Sequence, residues 1–217
     1  MTFKHQFYEF PPLTREDTDN GRFYTLPTGE RYPSVTTILG RADDGSGLAA
    51  WRARVGPEEA DRIGRMAANR GTKIHTMAEK YLLNESNPTK GQMPINVVMF
   101  KALKEKLDNI STVYGIECGL FSHTLRSAGS TDIFAKYKDL DSIVDNKTSI
   151  REKRAEWIED YFIQTTAYVI MVEEMFNIHI PQLVVLITNQ EGTCQEFIRS
   201  PDDYRSKTIS LFKEHND

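Results

Sequence analysis

The chain reads as a mixed α/β fold, a central mixed sheet flanked by helices with a helical N-terminal part. Helix signals dominate from about residue 48 to 109, three short strand candidates crowd residues 112–147, and a long helix with a further strand follows. Helices, a meander of short strands, a crossover helix and another strand make a sheet with both parallel and antiparallel neighbours. One domain is expected for 217 residues, with 1–31 as an N-terminal hairpin and extension, 32–110 helical, 111–200 carrying the sheet and its helix, and 201–217 a terminal helix.

The elements follow in order. Phe23–Leu26 and Glu30–Tyr32 flank Pro27-Thr28-Gly29 and read as a small hairpin. Ser34 is placed to cap a short helix over Val35–Leu39, closed by Gly40, and Arg41–Gly47 is a loop. Leu48–Val55 reads as a short amphipathic helix. Pro57-Glu58-Glu59 suits a helix first turn, and the helical stretch Ala60–Leu83 is expected to break near Gly71, restarting at Thr72. Pro94–Leu107 is another helix, with Val97, Val98, Leu103 and Leu107 among its apolar positions. Val113–Cys118, Gly129–Tyr137 and Ser142–Lys147 are the strand candidates. Ala155–Phe176 is the clearest helix, its Trp157, Tyr161, Tyr168, Met171 and Met175 falling at three- and four-residue steps. Leu183–Ile187 is a buried strand, Cys194–Ile198 another, and Pro201–Lys213 the last helix.

Composition bounds the function. A net charge of −4 excludes binding of nucleic acid through a uniformly basic surface, though not through a local patch. No apolar run approaches the roughly 20 residues of a membrane-spanning helix, and no secretory leader is expected at the N-terminus. Two cysteines, Cys118 and Cys194, suit a reducing compartment and are too few for a four-thiolate zinc or iron–sulfur site. A soluble cytoplasmic protein is expected.

The chemistry concentrates in Gly129-Ser130-Thr131-Asp132 and, 13 positions on, Asp145-Asn146-Lys147. Asp145 and Lys147 are two apart, so on a strand they share a face. Paired carboxylates beside a lysine suit phosphodiester hydrolysis: acids hold a hard divalent cation, and the lysine serves the attacking water and offsets developing charge. An isolated D-x-K is common by chance, and three features around it add weight. His75 and Glu79 stand one helical turn apart after Gly71; Gln164 and Tyr168 repeat that spacing on the helix after the D-x-K strand; Thr148 and Ser149 follow Lys147 with hydroxyls suited to a phosphate.

In the order G-x-x-x-H, G-x-x-D, D-x-K-T and Q-x-x-x-Y, these motifs resemble the RecB-type nucleases of the PD-(D/E)XK superfamily. The lead-in Tyr32-Pro33-Ser34-Val35-Thr36-Thr37-Ile38-Leu39 is similar to that of the branch holding mitochondrial genome maintenance exonuclease and its phage relatives, and the likeness spans Tyr32 to Ile198. The resemblance implies a restriction-endonuclease-like core and a Mg²⁺- or Mn²⁺-dependent DNA exonuclease acting on single strands or DNA ends. It places the protein in bacterial or phage recombination, repair or replication, in a bacterial or phage-infected cell. It implies that His75, Asp132, Asp145 and the main-chain carbonyl of Asn146 hold the metal, that Lys147 serves the water, and that Gln164 and Tyr168 steady the site or the strand. Glu79 and Glu117 both stay open as supports of the metal site. Cluster-bearing relatives carry four cysteines; with two here, no iron–sulfur cluster is expected.

For the DNA path, Arg52, Arg54, Arg62, Arg65, Arg70 and Lys73 against Glu58, Glu59 and Asp61 give residues 52–73 a net charge of +3. Arg62, Arg65, Arg70 and Lys73, with Thr148 and Ser149, are therefore the candidate DNA contacts. Trp51, Tyr81 and Tyr114 are candidates for stacking on bases. A structure-specific endonuclease on the same scaffold and an inactive nucleic-acid-binding module remain as alternatives.

Overall fold

The computed structural model describes residues 2–216. Its elements are β1 (Lys4–His5), β2 (Thr14–Thr18), β3 (Gly21–Thr25), β4 (Arg31–Pro33), α1 (Val35–Ala42), α2 (Ser46–Val55), α3 (Pro57–Leu82) and α4 (Pro94–Leu107), followed by β5 (Ile110–Ser122), β6 (Ser127–Tyr137), β7 (Leu140–Ser149), α5 (Glu159–Phe176), β8 (Gln182–Asn189), β9 (Cys194–Arg199) and α6 (Asp202–Glu214). Six strands form a mixed sheet in the order β1-β5-β6-β7-β8-β9. β5, β6 and β7 are an antiparallel meander; α5 carries the chain across one face so that β8 lies parallel to β7, and β9 returns antiparallel. A second, antiparallel sheet of β2, β3 and β4 leads into α1.

Alternation along the strands splits the core in two. Ile143, Leu183, Val185 and Ile187 face α1, α5 and α6, whereas Val144, Val184, Leu186 and Tyr137 face α3 and α4. β8 is buried along its whole length, as expected of a central strand covered on both sides. No helix among the described residues is long and apolar enough to cross a membrane.

Several local expectations change. β1 was not anticipated: two residues dock parallel to β5, in register with Thr112 and Val113. The N-terminal hairpin gains a third strand, β2, exposed throughout and therefore without hydrophobic alternation to mark it. Ser34 caps α1 by accepting from the Thr37 N–H, but the helix runs through Gly40 to Ala42. α3 does not break at Gly71. A glycine costs a helix only about 1 kcal/mol relative to alanine, and burial of Ile74, Met77, Ala78, Tyr81 and Leu82 in its second half outweighs that. α2 buries no residue, so its Leu48 faces solvent and the helix is not amphipathic in packing. In α4, Val98 is exposed while Asn96, Met99 and Phe100 turn inward. The long helix starts at Glu159; Ala155–Trp157 is a separate 3-10 turn with Trp157 64% exposed, and Glu159 and Asp160 suit the start of the helix.

Candidate active site and metal centre

The site forms where β6 and β7 part. Their ladder runs from Tyr137 opposite Leu140 to Ile133 opposite Val144 and stops there, while β7 continues beside β8 as far as Ser149. The next residue of β6, Asp132, replaces the missing ladder bond with its side chain: Oδ2 accepts from the Asn146 N–H at 2.7 Å. Asp145 and Lys147 lie beyond the fork on the face of Ile143, toward α5. The Lys147 ammonium donates to Asp145 Oδ1 at 2.8 Å, lies 2.6 Å from Oδ2, and sits over the Tyr161 ring.

α5 closes this face through the residues singled out by spacing. Gln164 Nε2 donates to the Tyr168 hydroxyl at 3.4 Å, and Tyr168 is buried against β6. Gly129 makes that approach possible, since a Cβ there would fall 2.8 Å from Tyr168 Cε1. The glycine of G-x-x-D thus serves packing, three residues before the acid it introduces.

α3 brings His75 from the other side. Its Nδ1 is 3.5 Å from Asp132 Oδ1 and 3.6 Å from Glu117 Oε1. Glu117 sits on β5 between the Ile116–Ile133 and Cys118–Thr131 pairs, with a left-handed φ of +48° that a glutamate seldom adopts. Such backbone is costly and tends to be retained where it aims a side chain. One nitrogen of His75 and one oxygen each of Glu117 and Asp132 lie within 4.8 Å of one another. Asp145 is buried, and Lys147 is its partner within this cluster. One imidazole and two carboxylates, with Asp145 beside them on β7, fit a hard divalent cation.

The electrostatics agree. Burial alone would depress His75, yet Asp132 and Glu117 raise it to about 10, so without a metal it carries a proton between two carboxylates. Burial raises Asp145 to about 6, with Lys147 opposing and Asp132 adding to the rise. Burial would lower Lys147, but Asp145 and Asp132 hold it above the ordinary lysine value. Without a metal, Lys147 therefore stands as an ammonium, suited to stabilise negative charge. Asp132 would also rise on burial; the His75 charge keeps it below the usual carboxylate value.

The remaining expected residues divide. The Asn146 N–H is committed to Asp132, and its side-chain Oδ1 is buried without a partner. Thr148 faces Gly71 of α3. Ser149 does not present a free hydroxyl: buried at the strand end, it donates to the Arg151 carbonyl at 2.5 Å and fixes the turn out of β7. Arg65 and Lys73 are exposed on the first part of α3, which buries only Ala60 between Pro57 and Lys73. Arg62 is exposed too but grips Glu59 at 2.6 and 2.7 Å, and Arg70 is half-buried with its Nε unpartnered. Tyr81 and Tyr114 are core residues whose hydroxyls bond Asp108 and Asp141, so neither is free to stack on a base; Trp51 is half-buried on α2.

Two arginines were not anticipated. A cleft of about 570 Å³ opens beside the site, lined by Arg15, Arg22, Gly71, Thr72, His75, Thr76, Glu79 and Glu117. Glu79 thus borders the cleft, whereas Glu117 reaches His75. Arg15 and Arg22 come from the accessory sheet, about a hundred residues before Glu117 in sequence, and no local motif marks them.

No protein-family model and no curated protein matches the chain. Among solved structures, the crystal structure at 2.19 Å of a protein from Eubacterium rectale, provisionally named as an exonuclease, superposes with a TM-score of 0.45 and 16% identity. The match covers 68% of this chain and 64% of that one, so this chain spans less than two thirds of its length.

Proposed function

We propose that the protein is a divalent-metal-dependent nuclease that hydrolyses phosphodiester bonds in DNA, working as an exonuclease on single strands or strand ends. The observation that carries this reading is the convergence of Asp132, Asp145 and Lys147 with His75 and Glu117 where β6 and β7 part. Bringing charges out of water costs free energy, so clusters with shifted titration are concentrated at binding and catalytic sites, and three acids set around one imidazole and one ammonium suit a cation and a phosphate. His75, Glu117, Asp132 and Asp145 would hold Mg²⁺ or Mn²⁺, with the Asn146 carbonyl as a further donor. The ion would supply Lewis-acid polarisation and charge neutralisation there.

The chain's own residues do the rest. Lys147, held by Asp145 and steadied by Tyr161, offsets negative charge that grows on the phosphoryl oxygens as water attacks phosphorus. Tyr168 and Gln164 fix the wall on which that geometry depends. By the resemblance the P–O3′ bond breaks, leaving a 5′-phosphate and a 3′-hydroxyl. A role in bacterial or phage recombination, repair or replication fits such an activity.

Linear single-stranded DNA and the same sequence closed into a circle, at equal nucleotide concentration, provide the test. With Mg²⁺ the linear strand should shorten progressively while the circle survives, and EDTA should stop the reaction. Equal cutting of the circle would replace the exonuclease with an endonuclease. Binding without cutting in Mg²⁺ or Mn²⁺ would leave a nucleic-acid-binding module.

A further inference from the structure

We infer that Arg15 and Arg22 form a phosphate-binding fork on the accessory sheet, which grips a phosphate of the nucleic-acid strand beside the metal-binding cluster. The inference rests on the nuclease reading above and adds to it a phosphate subsite. Both arginines line the same cleft as His75 and Glu117, on the wall contributed by β2 and β3. Register puts them together. Asp17 stands opposite Arg22 across the two strands, and Arg15 is two residues from Asp17, so all three side chains share one face.

The pair is held in place rather than left loose. Asp17 Oδ2 accepts from Arg15 Nε and an Arg15 terminal nitrogen at 2.9 and 2.6 Å, while Oδ1 accepts from Arg22 Nε at 2.8 Å. Two guanidiniums share one carboxylate, leaving a net positive charge and most of their N–H donors free. Arg22 also has a fixed backbone. Its N–H donates to Thr37 Oγ1 at 2.9 Å, and its carbonyl accepts from Thr37 Oγ1 at 3.1 Å and the Ser34 N–H at 2.8 Å. Gly21 makes this docking possible: its φ is +114°, and a Cβ there would sit 2.5 Å from Thr37 Cγ2. Part of the Tyr32–Leu39 lead-in thereby gains a role, since its Ser34 and Thr37 clamp the strand that presents Arg22.

A guanidinium fork matches the paired oxygens of a phosphate, and the exposed Asp17 pair yields readily because surface ion pairs contribute little. The ligand is a phosphate carried by single-stranded DNA, either the 5′-terminal monoester or an internal diester.

Binding of 3′-fluorescein-labelled single-stranded oligonucleotides, with and without a 5′-phosphate, is to be measured by anisotropy in EDTA across a salt series. Arg15→Ala and Arg22→Ala should each weaken binding by about tenfold or more, the range of a lost charge-assisted hydrogen bond. Each should also reduce the salt slope by about 0.7, the value for one phosphate on a single strand. Arg22→Lys keeps the charge without the fork and should recover the slope but not the full affinity. A defect confined to the 5′-phosphorylated oligonucleotide assigns the terminal phosphate; a defect shared by both assigns an internal diester. Wild-type affinity and slope in Arg15→Ala and Arg22→Ala, with melting temperatures unchanged, would overturn the fork. A wild-type protein that binds but does not cut in Mg²⁺ would count against hydrolysis alone, because the fork is read without metal.

Discussion

The Asn146 N–H donates to the carboxylate of Asp132 at 2.7 Å, so a side chain bridges β6 and β7 where their ladder ends. Asp132 therefore has two separable tasks: it caps a buried strand amide and brings charge to His75. Asp132→Asn keeps an acceptor oxygen for the amide and removes the charge. It should melt somewhat below wild type through loss of the His75 ion pair, and should lose Mn²⁺ binding and cleavage. Asp132→Ala removes both and should cost a further 1–3 kcal/mol or so for the unpaired buried N–H. Thermal melting beside calorimetric Mn²⁺ titration separates the two, and wild-type Mn²⁺ affinity in Asp132→Asn would remove the acid from the metal site.

Lys147 and Asp145 compensate one another in the absence of metal, with the ammonium 2.6 Å from a carboxylate that is 1% exposed. Lys147→Ala strands that carboxylate and should lower the metal-free melting temperature, since breaking a buried pair costs about 3–5 kcal/mol. Added Mn²⁺ should then raise the melting temperature more than it does in the wild type. Turnover should fall by about two to four decades. Near-normal turnover would reduce Lys147 to a structural counter-ion.

Glu117 and Glu79 make a controlled comparison. Glu117 reaches His75 at 3.6 Å, whereas Glu79 borders the cleft one helical turn along α3. Glu117→Gln should weaken Mn²⁺ binding by about tenfold or more, equivalent to about 1.4 kcal/mol. Glu79→Gln should leave it near wild type. The reverse ranking in calorimetry would exchange their roles.

Sequence and structure agree where spacing alone sets geometry. Asp145 and Lys147 share a face because they are two apart on a strand, and Gln164 meets Tyr168 because they are one turn apart on a helix. The motif order placed His75 with Asp132 although 57 positions separate them, and the structure brings the two within 3.5 Å. What spacing does not encode is strand register and backbone hand. Glu117 reaches the centre through a left-handed residue opposite the fork in β6 and β7, and nothing adjacent in sequence announces that conformation. Arg15 is illegible because β2 is wholly exposed and lacks a hydrophobic period, and Arg22, just before the Phe23–Leu26 strand, gains its place only by pairing opposite Asp17. Ser149 misled for the opposite reason: beside a catalytic-looking lysine its hydroxyl suits a phosphate, yet the turn after β7 uses it first.

An acid limb in stability should arise away from the site. Glu196 on β9 accepts from the Tyr137 hydroxyl and, at 2.6 Å, from Lys138, tying β9 to the end of β6. Burial would raise its pKa, but those two donors hold it below the ordinary 4.5. A carboxylate depressed in the folded state contributes stability that is complete above the unfolded value and is lost as pH falls through the folded one. Glu196→Gln should lower the melting temperature at neutral pH and flatten its decline below pH 4.5. An unchanged acid limb would show that other carboxylates dominate it.

The exposed first part of α3 should act in binding rather than in the chemical step. Arg65 and Lys73 lie outside the folded core on a helix whose second half carries His75, so a strand held along this helix is led toward the cleft. Both side chains would meet phosphates, and such binding weakens with salt through release of counterions. Replacing both with alanine should raise KM for single-stranded DNA, leave kcat near wild type, and reduce the salt slope by about 0.7 for each phosphate no longer neutralised. Arg62→Ala forms an internal comparison, because that guanidinium is engaged by Glu59 at 2.6 and 2.7 Å and must trade the pair for DNA. It should therefore shift KM less than Arg65→Ala does. Steady-state cleavage at several salt concentrations reads all of these at once. A fall in kcat at unchanged KM in the Arg65, Lys73 double variant would move this part of α3 from the path of the strand into the chemistry.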